Sequence, residues 1–306
     1  MTLTLTARPP FSFRAAVQSH GWLQLAPYGF DEPTGLLTYI DRLSSGRVLE
    51  YRVREAPGGI RVEAGKGLSV SERGEVKHRI TWMLGLDLDF SEFYAEARRE
   101  PKLSGAEAKA QGRVLRCPTL FEDVVKTILT TNTLWAATRR MTANLVAQFG
   151  EALPGDASRQ AFPAPERLAR TTEARLRRET RLGYRAPYIL ELARSIASGA
   201  LDLEALKSDR IPTQDLRKRL LAIKGVGNYA AANLLVILGR YDYLPVDSWA
   251  LKMVSNEWHD GRPITPVDVD AAFASWGKWK GLAYFVWDWS ELRKDEETDP
   301  LRTDEA

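Results

Sequence analysis

The feature that most limits what this chain can fold into is a change in hydrophobic period near residue 105. Up to about residue 100 the sequence runs in short stretches of alternating apolar and polar residues, GLLTYIDRL, RVLEYRVRE and GIRVEAG, separated by SSG and APGG turns. A period of two marks strands with one buried face, so antiparallel strands are expected, two of them joined at Pro57-Gly58-Gly59. The stretch TWMLGLDLDFSEFYAEARRE then turns helical, and PKLSGAEAKAQG offers a polar connection. From about residue 113 onward the apolar spacing is i, i+3, i+4 almost everywhere, in LFEDVVKTILTTN, TRRMTANLVAQFG, PERLARTTEARLRRETRL, APYILELARSIASG and TQDLRKRLLAI. Breaks at Gly150, Pro154-Gly155, Gly183, Gly199 and Pro212 separate these helices. The pattern predicts an α+β chain: an N-terminal antiparallel β-rich domain over 1–105, an all-helical domain over 106–292 and a charged, disordered tail over 293–306.

Composition removes several classes of chemistry. A single cysteine, Cys117, excludes an internal disulfide and a four-cysteine iron–sulfur cluster. Three scattered histidines, His20, His78 and His259, have no zinc-ligand spacing. No apolar run approaches the roughly 20 residues that span a bilayer, and the start MTLTLTARPPFSF lacks a signal-peptide pattern, so a soluble cytoplasmic protein without membrane contact is expected. A net charge of +3 permits a polyanionic partner without requiring one.

Residues 220–254, LLAIKGVGNYAAANLLVILGRYDYLPVDSWALKMV, carry the most information. One helix runs into Lys224-Gly225-Val226-Gly227 and a second restarts at Asn228, a helix–hairpin–helix. Gly225 and Gly227 are expected to take positive φ and to leave no side chain between backbone and ligand. The N–H groups that open the next helix then point outward with a favourable dipole, which suits a phosphate. Carbonyls near Leu221, Ile223 and Val226 are placed to hold a monovalent cation, Na+ or K+, against the same phosphate. A glycine-rich turn alone also serves merely to join two packed helices. What favours the binding role is context: Pro245-Val246-Asp247 follows Gly227 at a spacing of twenty residues.

These residues resemble the helix–hairpin–helix superfamily of base-excision DNA glycosylases, whose signature is this hairpin, its glycine turn and a downstream aspartate, matched here by Asp247. Three further segments fit: Leu120-Phe121-Glu122 to Thr131-Asn132 resembles the first barrel helix and base-gap loop, and Leu182-Gly183-Tyr184-Arg185-Ala186 with Ala193-Arg194 resembles a mid-domain helix. Trp276 to Trp287 resembles the closing helix of the alkylbase branch, and the strand-rich N-terminal part is similar to the β-domain of the alkylbase and 8-oxoguanine branches.

The resemblance implies that Asp247 faces the sugar, stabilises positive charge as the C–N bond stretches, and orients or deprotonates the attacking water. Its plain alternative is a helix N-cap, and both roles are compatible. Where bifunctional members carry a Schiff-base lysine this chain has Tyr229, which cannot form an imine. Tyr229, Trp249, Trp279 and Tyr284 are the candidate base pocket, with core packing as the alternative for each. Asn132, Lys224, Gly225, Val226, Gly227, Asn228 and Arg185 are the candidate DNA contacts, Asn132 as a gap-filling side chain or a helix C-cap. Arg139, Arg140, Lys278 and Lys280 are further phosphate-contact candidates or simply solvated charges.

The implied activity is monofunctional removal of a damaged base, an alkylated purine such as 3-methyladenine, from double-stranded DNA by base flipping. No cofactor is required, and the protein is expected to act as a monomer in the bacterial cytoplasm, at the nucleoid. A glycosylase for an oxidised or deaminated base, and a non-catalytic lesion-binding or DNA-structure-binding protein, are the alternatives.

Overall fold

The computed structural model describes residues 1–208 and 210–288. The expected tail at 293–306 and the last residues of the expected helical region lie outside the described residues.

The chain opens with an antiparallel sheet and continues as a helical assembly. Five strands, β1 (Thr2–Thr6), β2 (Tyr28–Asp31), β3 (Leu36–Arg42), β4 (Val48–Ala56) and β5 (Gly59–Glu63), pair in the order β1-β5-β4-β3-β2. Strand β4 shows why: Leu49, Tyr51 and Val53 are buried and alternate with Glu50, Arg52 and Arg54. The β4–β5 reversal falls at Pro57-Gly58, where Gly58 adopts φ +70°. Helix α1 (Phe13–Val17) precedes β2, and α2 (Val70–Leu84) and α3 (Ser91–Ala97) follow β5. Ser69 and Glu72 close a reciprocal capping box at the start of α2, and Gly85 ends it with φ +57°.

The helical part contains α4 (Leu120–Thr130), α5 (Trp135–Phe149), α6 (Pro165–Ala169), α7 (Glu173–Thr180), α8 (Ala186–Ala197), α9 (Thr213–Leu221), α10 (Asn228–Ile237), α11 (Ser248–Trp258), α12 (Pro266–Ala272) and α13 (Lys280–Val286). It is not wholly helical, because β6 (Ala152–Leu153) and β7 (Asp156–Gln160) form a small hairpin around Gly155. The long periodic stretch at 165–182 is two helices, since Thr172 turns its side chain to cap the N–H of Arg175 and starts α7 afresh.

One continuous core joins the sheet to the helices. Helix α4 lies at that junction and is buried from Leu120 to Leu129, polar residues included. Glu122 and Lys126 form a fully buried ion pair at 2.7 Å, the Tyr39 hydroxyl donates to Glu122, and the Lys126 ammonium sits 4.9 Å from the Tyr28 ring. Trp22 Nε1–H donates to Asp123 Oδ1 at 2.8 Å. Arg113 donates to the carbonyls of Arg8, Pro10, Gly85 and Leu88, stitching the first strand's exit to the α2–α3 turn. Buried charges of this kind are costly unless paired, and the pairing gives the junction one geometry. Helix α10 is apolar almost all round and packs against both α9 and α4, which places the hairpin ahead of it beside the junction. Among the described residues no helix is long and apolar enough to cross a membrane.

Candidate functional site

The turn between α9 and α10 is tight because Ile223 N–H donates to the Leu220 carbonyl and Val226 N–H to the Ile223 carbonyl, both at 3.0 Å. The buried Val226 and Ile223 side chains anchor it from inside. Gly225 has φ +91°, and a Cβ there would lie 2.8 Å from the Tyr188 ring. Gly227 differs from the expectation: its φ is −91° with ψ −172°, an extended conformation open to any residue. Nothing lies within 4 Å of where its Cβ would be. Internal packing therefore gives no reason for a glycine at 227, whereas close approach of an external group to the N-terminus of α10 does. Asn228 and Lys224 are exposed beside it and already engaged. Asn228 Oδ1 accepts from Arg217 at 2.7 Å, and Lys224 pairs with Glu191 at 3.0 Å. The hydrogen bond to Glu191 raises the Lys224 pKa. Leu221, Ile223 and Val226 offer backbone carbonyl oxygens, a hard donor set that suits an alkali cation, although the Ile223 carbonyl already accepts the Val226 N–H. Among the described residues no group of three or more His, Cys, Asp or Glu side chains is placed to hold a metal.

Asp247 is the N-cap of α11, and its Oδ1 accepts the Ala250 N–H at 2.8 Å. It is half-buried, and the fold brings two tyrosines to it from different helices, Tyr229 at the start of α10 and Tyr284 in α13. Burial raises the pKa of both phenols, and the charge of Asp247 raises each further. Tyr229 thus links Asp247 to a cavity of about 320 Å³ that opens beside it, in the size range of small-molecule sites. Asp247 is not a wall of this cavity, but Pro245, two residues earlier, and Phe285, next to Tyr284, are.

Most of the remaining wall was invisible to sequence reasoning. His20, Gly21 and Trp22 come from the N-terminal region, and Thr127, Thr130 and Trp135 from α4, α5 and their connection. Their only sequence signal is an aromatic and glycine cluster, SHGW, with no periodicity to explain it.

Of the four expected pocket aromatics only Tyr229 is a wall of the cavity: Tyr284 feels the charge of Asp247 but does not line it, and the other two lie elsewhere. Trp279 stacks on Tyr241 at 5.8 Å and packs against Phe90 and Phe93, so it closes the contact between α3 and the C-terminal helices. Trp249 is half-buried against the core on the first turn of α11 and is not a wall of the cavity.

Arg185 is a correction. It is only 5% exposed, too deep to reach a phosphate, and its guanidinium donates to the carbonyls of Thr131 and Asn132, the latter at 3.2 Å, while lying 4.4 Å over the Tyr184 ring. It shapes the loop that follows α4. Asn132 is exposed there with φ +46°, the conformation of a residue just past a helix end. On the same edge Leu134 is 73% and Tyr184 46% exposed, apolar surface that the fold has left uncovered. Arg139 and Arg140 are exposed on α5, whereas Lys278 and Lys280 pair with Glu92 and Asp270.

Comparison with known proteins gives the fold and the family. A DNA-3-methyladenine glycosylase of Bacillus subtilis is 28% identical over 224 residues, 71% of this chain and 72% of that protein. A 3-methyladenine DNA glycosylase structure from Archaeoglobus fulgidus superposes with a TM-score of 0.74 at 19% identity, covering 94% of this chain and 96% of that one. An apo 8-oxoguanine glycosylase/lyase from Clostridium acetobutylicum superposes with a TM-score of 0.72 at 20% identity, covering 94% and 98%. At those identities the two structures establish the fold alone. The family model described as HhH-GPD superfamily base excision DNA repair protein matches residues 125–278, about half of the chain and all of the hairpin and Asp247, and the chain belongs to that superfamily.

Proposed function

We propose that the protein is a monofunctional DNA glycosylase, which flips a damaged base, an alkylated purine such as 3-methyladenine, out of duplex DNA and hydrolyses its glycosidic bond. The observation that carries this reading is that Tyr229, two residues after the hairpin glycine Gly227, lines the aromatic cavity and feels the charge of Asp247. Gly227 leaves the N-terminus of α10 open to a phosphate oxygen, which fixes the register of the sugar-phosphate chain without reading sequence. Exposed Leu134 and Tyr184, with Asn132 two residues before Leu134 in the loop, are the side chains offered to the gap that an extruded nucleotide leaves. The base enters the cavity, and its sugar remains at the mouth.

The Ala250 N–H holds Asp247 Oδ1 and so orients the carboxylate. As the C–N bond stretches, a fixed negative charge in a half-buried site stabilises the positive charge growing on the sugar, and the carboxylate accepts a proton from the attacking water. An electron-poor base leaves readily, so one carboxylate and an aromatic pocket suffice.

Hydrolysis without strand cleavage is favoured because Tyr229 supplies no amine. Lys224, the amine of the turn itself, is exposed, tied to Glu191 and held protonated, which makes it a poor nucleophile.

The test is a panel of duplexes, each with one damaged base, incubated with wild type and Asp247→Asn and then heated in alkali. Abasic sites produced by wild type alone support the reading. Efficient borohydride trapping of the protein on abasic DNA overturns its monofunctional part, and tight lesion binding without release by wild type overturns catalysis.

A further inference from the structure

The side of the cavity around His20 has spent most of its hydrogen-bond protons on the protein itself. Thr127 Oγ1–H donates to the Asp123 carbonyl at 2.7 Å, Thr130 Oγ1–H to the Thr127 carbonyl at 2.8 Å and Thr138 Oγ1–H to the Leu129 carbonyl at 2.9 Å. A hydroxyl has one proton, so these three threonines add to the wall only methyl surface and lone pairs. The indole protons are spent in the same way, Trp22 on Asp123 and Trp135 on Gln24, each at 2.8 Å.

His20 reaches this condition by another route. Its Nε2 lies 2.7 Å from the Leu115 carbonyl, which can only accept, so Nε2 carries the ring proton and Nδ1 is a bare lone pair. Among the described residues nothing hydrogen-bonds to Nδ1. Burial, reinforced by the Lys126 charge and opposed by the Leu115 bond, brings the ring pKa down to about 4, so the imidazole is neutral at working pH. The faces of Trp22 and Trp135 add electron-rich surface beside it, and the donors left in the lining are the Tyr229 and Thr133 hydroxyls and the Asn233 side-chain amide.

Resting on the assignment of this cavity as the base pocket, we infer that His20 is a specificity-determining residue whose Nδ1 lone pair receives an N–H of the extruded base. The edge of the base that faces His20 is thereby selected to present an N–H donor. An acceptor edge set against Nδ1 leaves both desolvated and unpaired, which discriminates more sharply than shape.

The test is single-turnover excision by wild type, His20→Phe and His20→Gln on otherwise identical duplexes. Two contain donor-bearing bases, cationic 7-methylguanine and neutral hypoxanthine, and one contains 1,N6-ethenoadenine, a purine derivative with no N–H. Wild type is expected to favour the first two. His20→Phe should slow them by roughly ten- to a hundredfold, the range for losing a hydrogen bond to a buried partner, with little change on ethenoadenine. His20→Gln, whose amide can donate to the Leu115 carbonyl and still accept from the base, should restore much of the loss. Equal slowing on all three bases without rescue by Gln, or wild-type excision of ethenoadenine as fast as of the donor-bearing bases, overturns the inference and leaves the glycosylase reading intact. Failure of wild type to excise any base overturns that reading, and the inference with it.

Discussion

The indole of Trp135 lies against the backbone of Gly21 so closely that a Cβ on residue 21 would sit 2.5 Å from two of its ring atoms. Trp135 is held there by its hydrogen bond to Gln24, so a wall of the cavity is shared between the N-terminal region and the first residue of α5. Gly21→Ala should push the ring into the cavity. Excision is expected to fall by about one to two orders of magnitude, the scale for a displacement of roughly 1 Å at a reacting pair. Single-turnover rates alongside a thermal melt check this, and an unchanged rate would show that the wall does not touch the base.

Asp247 caps α11 and, on the proposed function, is also the catalytic carboxylate, two roles that substitution can separate. Asparagine caps a helix about as well as aspartate, so Asp247→Asn should keep its stability within a few tenths of a kcal/mol while losing about two to four orders of magnitude in excision. Asp247→Ala should lose the same activity and about 1 kcal/mol of stability besides, because the Ala250 N–H loses its acceptor. Denaturant midpoints and excision rates measured on both variants give the comparison.

The two glycines of the hairpin should fail in different ways. Gly225→Ala puts a side chain at φ +91° and against Tyr188, and it should cost on the order of 1 kcal/mol or more of stability. Gly227→Ala meets no protein atom and should melt like wild type yet bind duplex DNA about tenfold more weakly. Calorimetry and fluorescence anisotropy at fixed salt distinguish the two.

Arg185→Ala should destabilise the protein by about 2–4 kcal/mol, since the carbonyls of Thr131 and Asn132 lose a charged donor in a buried site. The slope of log affinity against log salt for duplex binding should not change, because a residue that touches no phosphate releases no counterion. A shallower slope would put Arg185 back among the phosphate contacts.

Acid stability should reveal two opposed buried groups. The unfolded chain protonates His20 near 6.5, but burial holds the folded ring down at about 4, so this group costs stability as pH falls between those values. Asp123, pushed up to about 6 by burial against an unfolded 3.8, does the reverse and adds stability as pH falls. Relative to wild type, His20→Gln should therefore gain stability between pH 6.5 and 4, and Asp123→Asn should lose it between 6 and 4, each by on the order of 1–3 kcal/mol. Urea titrations at stepped pH read both slopes.

Strands β4 and β5 were legible because each alternates over a buried face, and β3, buried almost throughout, because it is a short apolar run between turns, whereas β2, the four residues YGFD, is too short to show a period. The helical stretch at 165–182 looked like one element because the capping by Thr172 that divides it is a contact no period reports. Arg185 and Trp279 were misplaced for a common reason: residue type suggested a phosphate contact and a pocket wall, but the neighbours that bury one and stack on the other come from segments far away in the chain.

What the sequence determined alone was the order of sheet and helices, the hairpin turn and the acidic cap that follows α10. Each depends on residues within a few positions of one another, through dihedral preference, capping and periodic burial. What only the tertiary structure decided was which side chains line the cavity. His20 and Tyr229 meet there across more than two hundred residues of chain, and burial, hydrogen-bond commitment and the protonation state of His20 all follow from that packing.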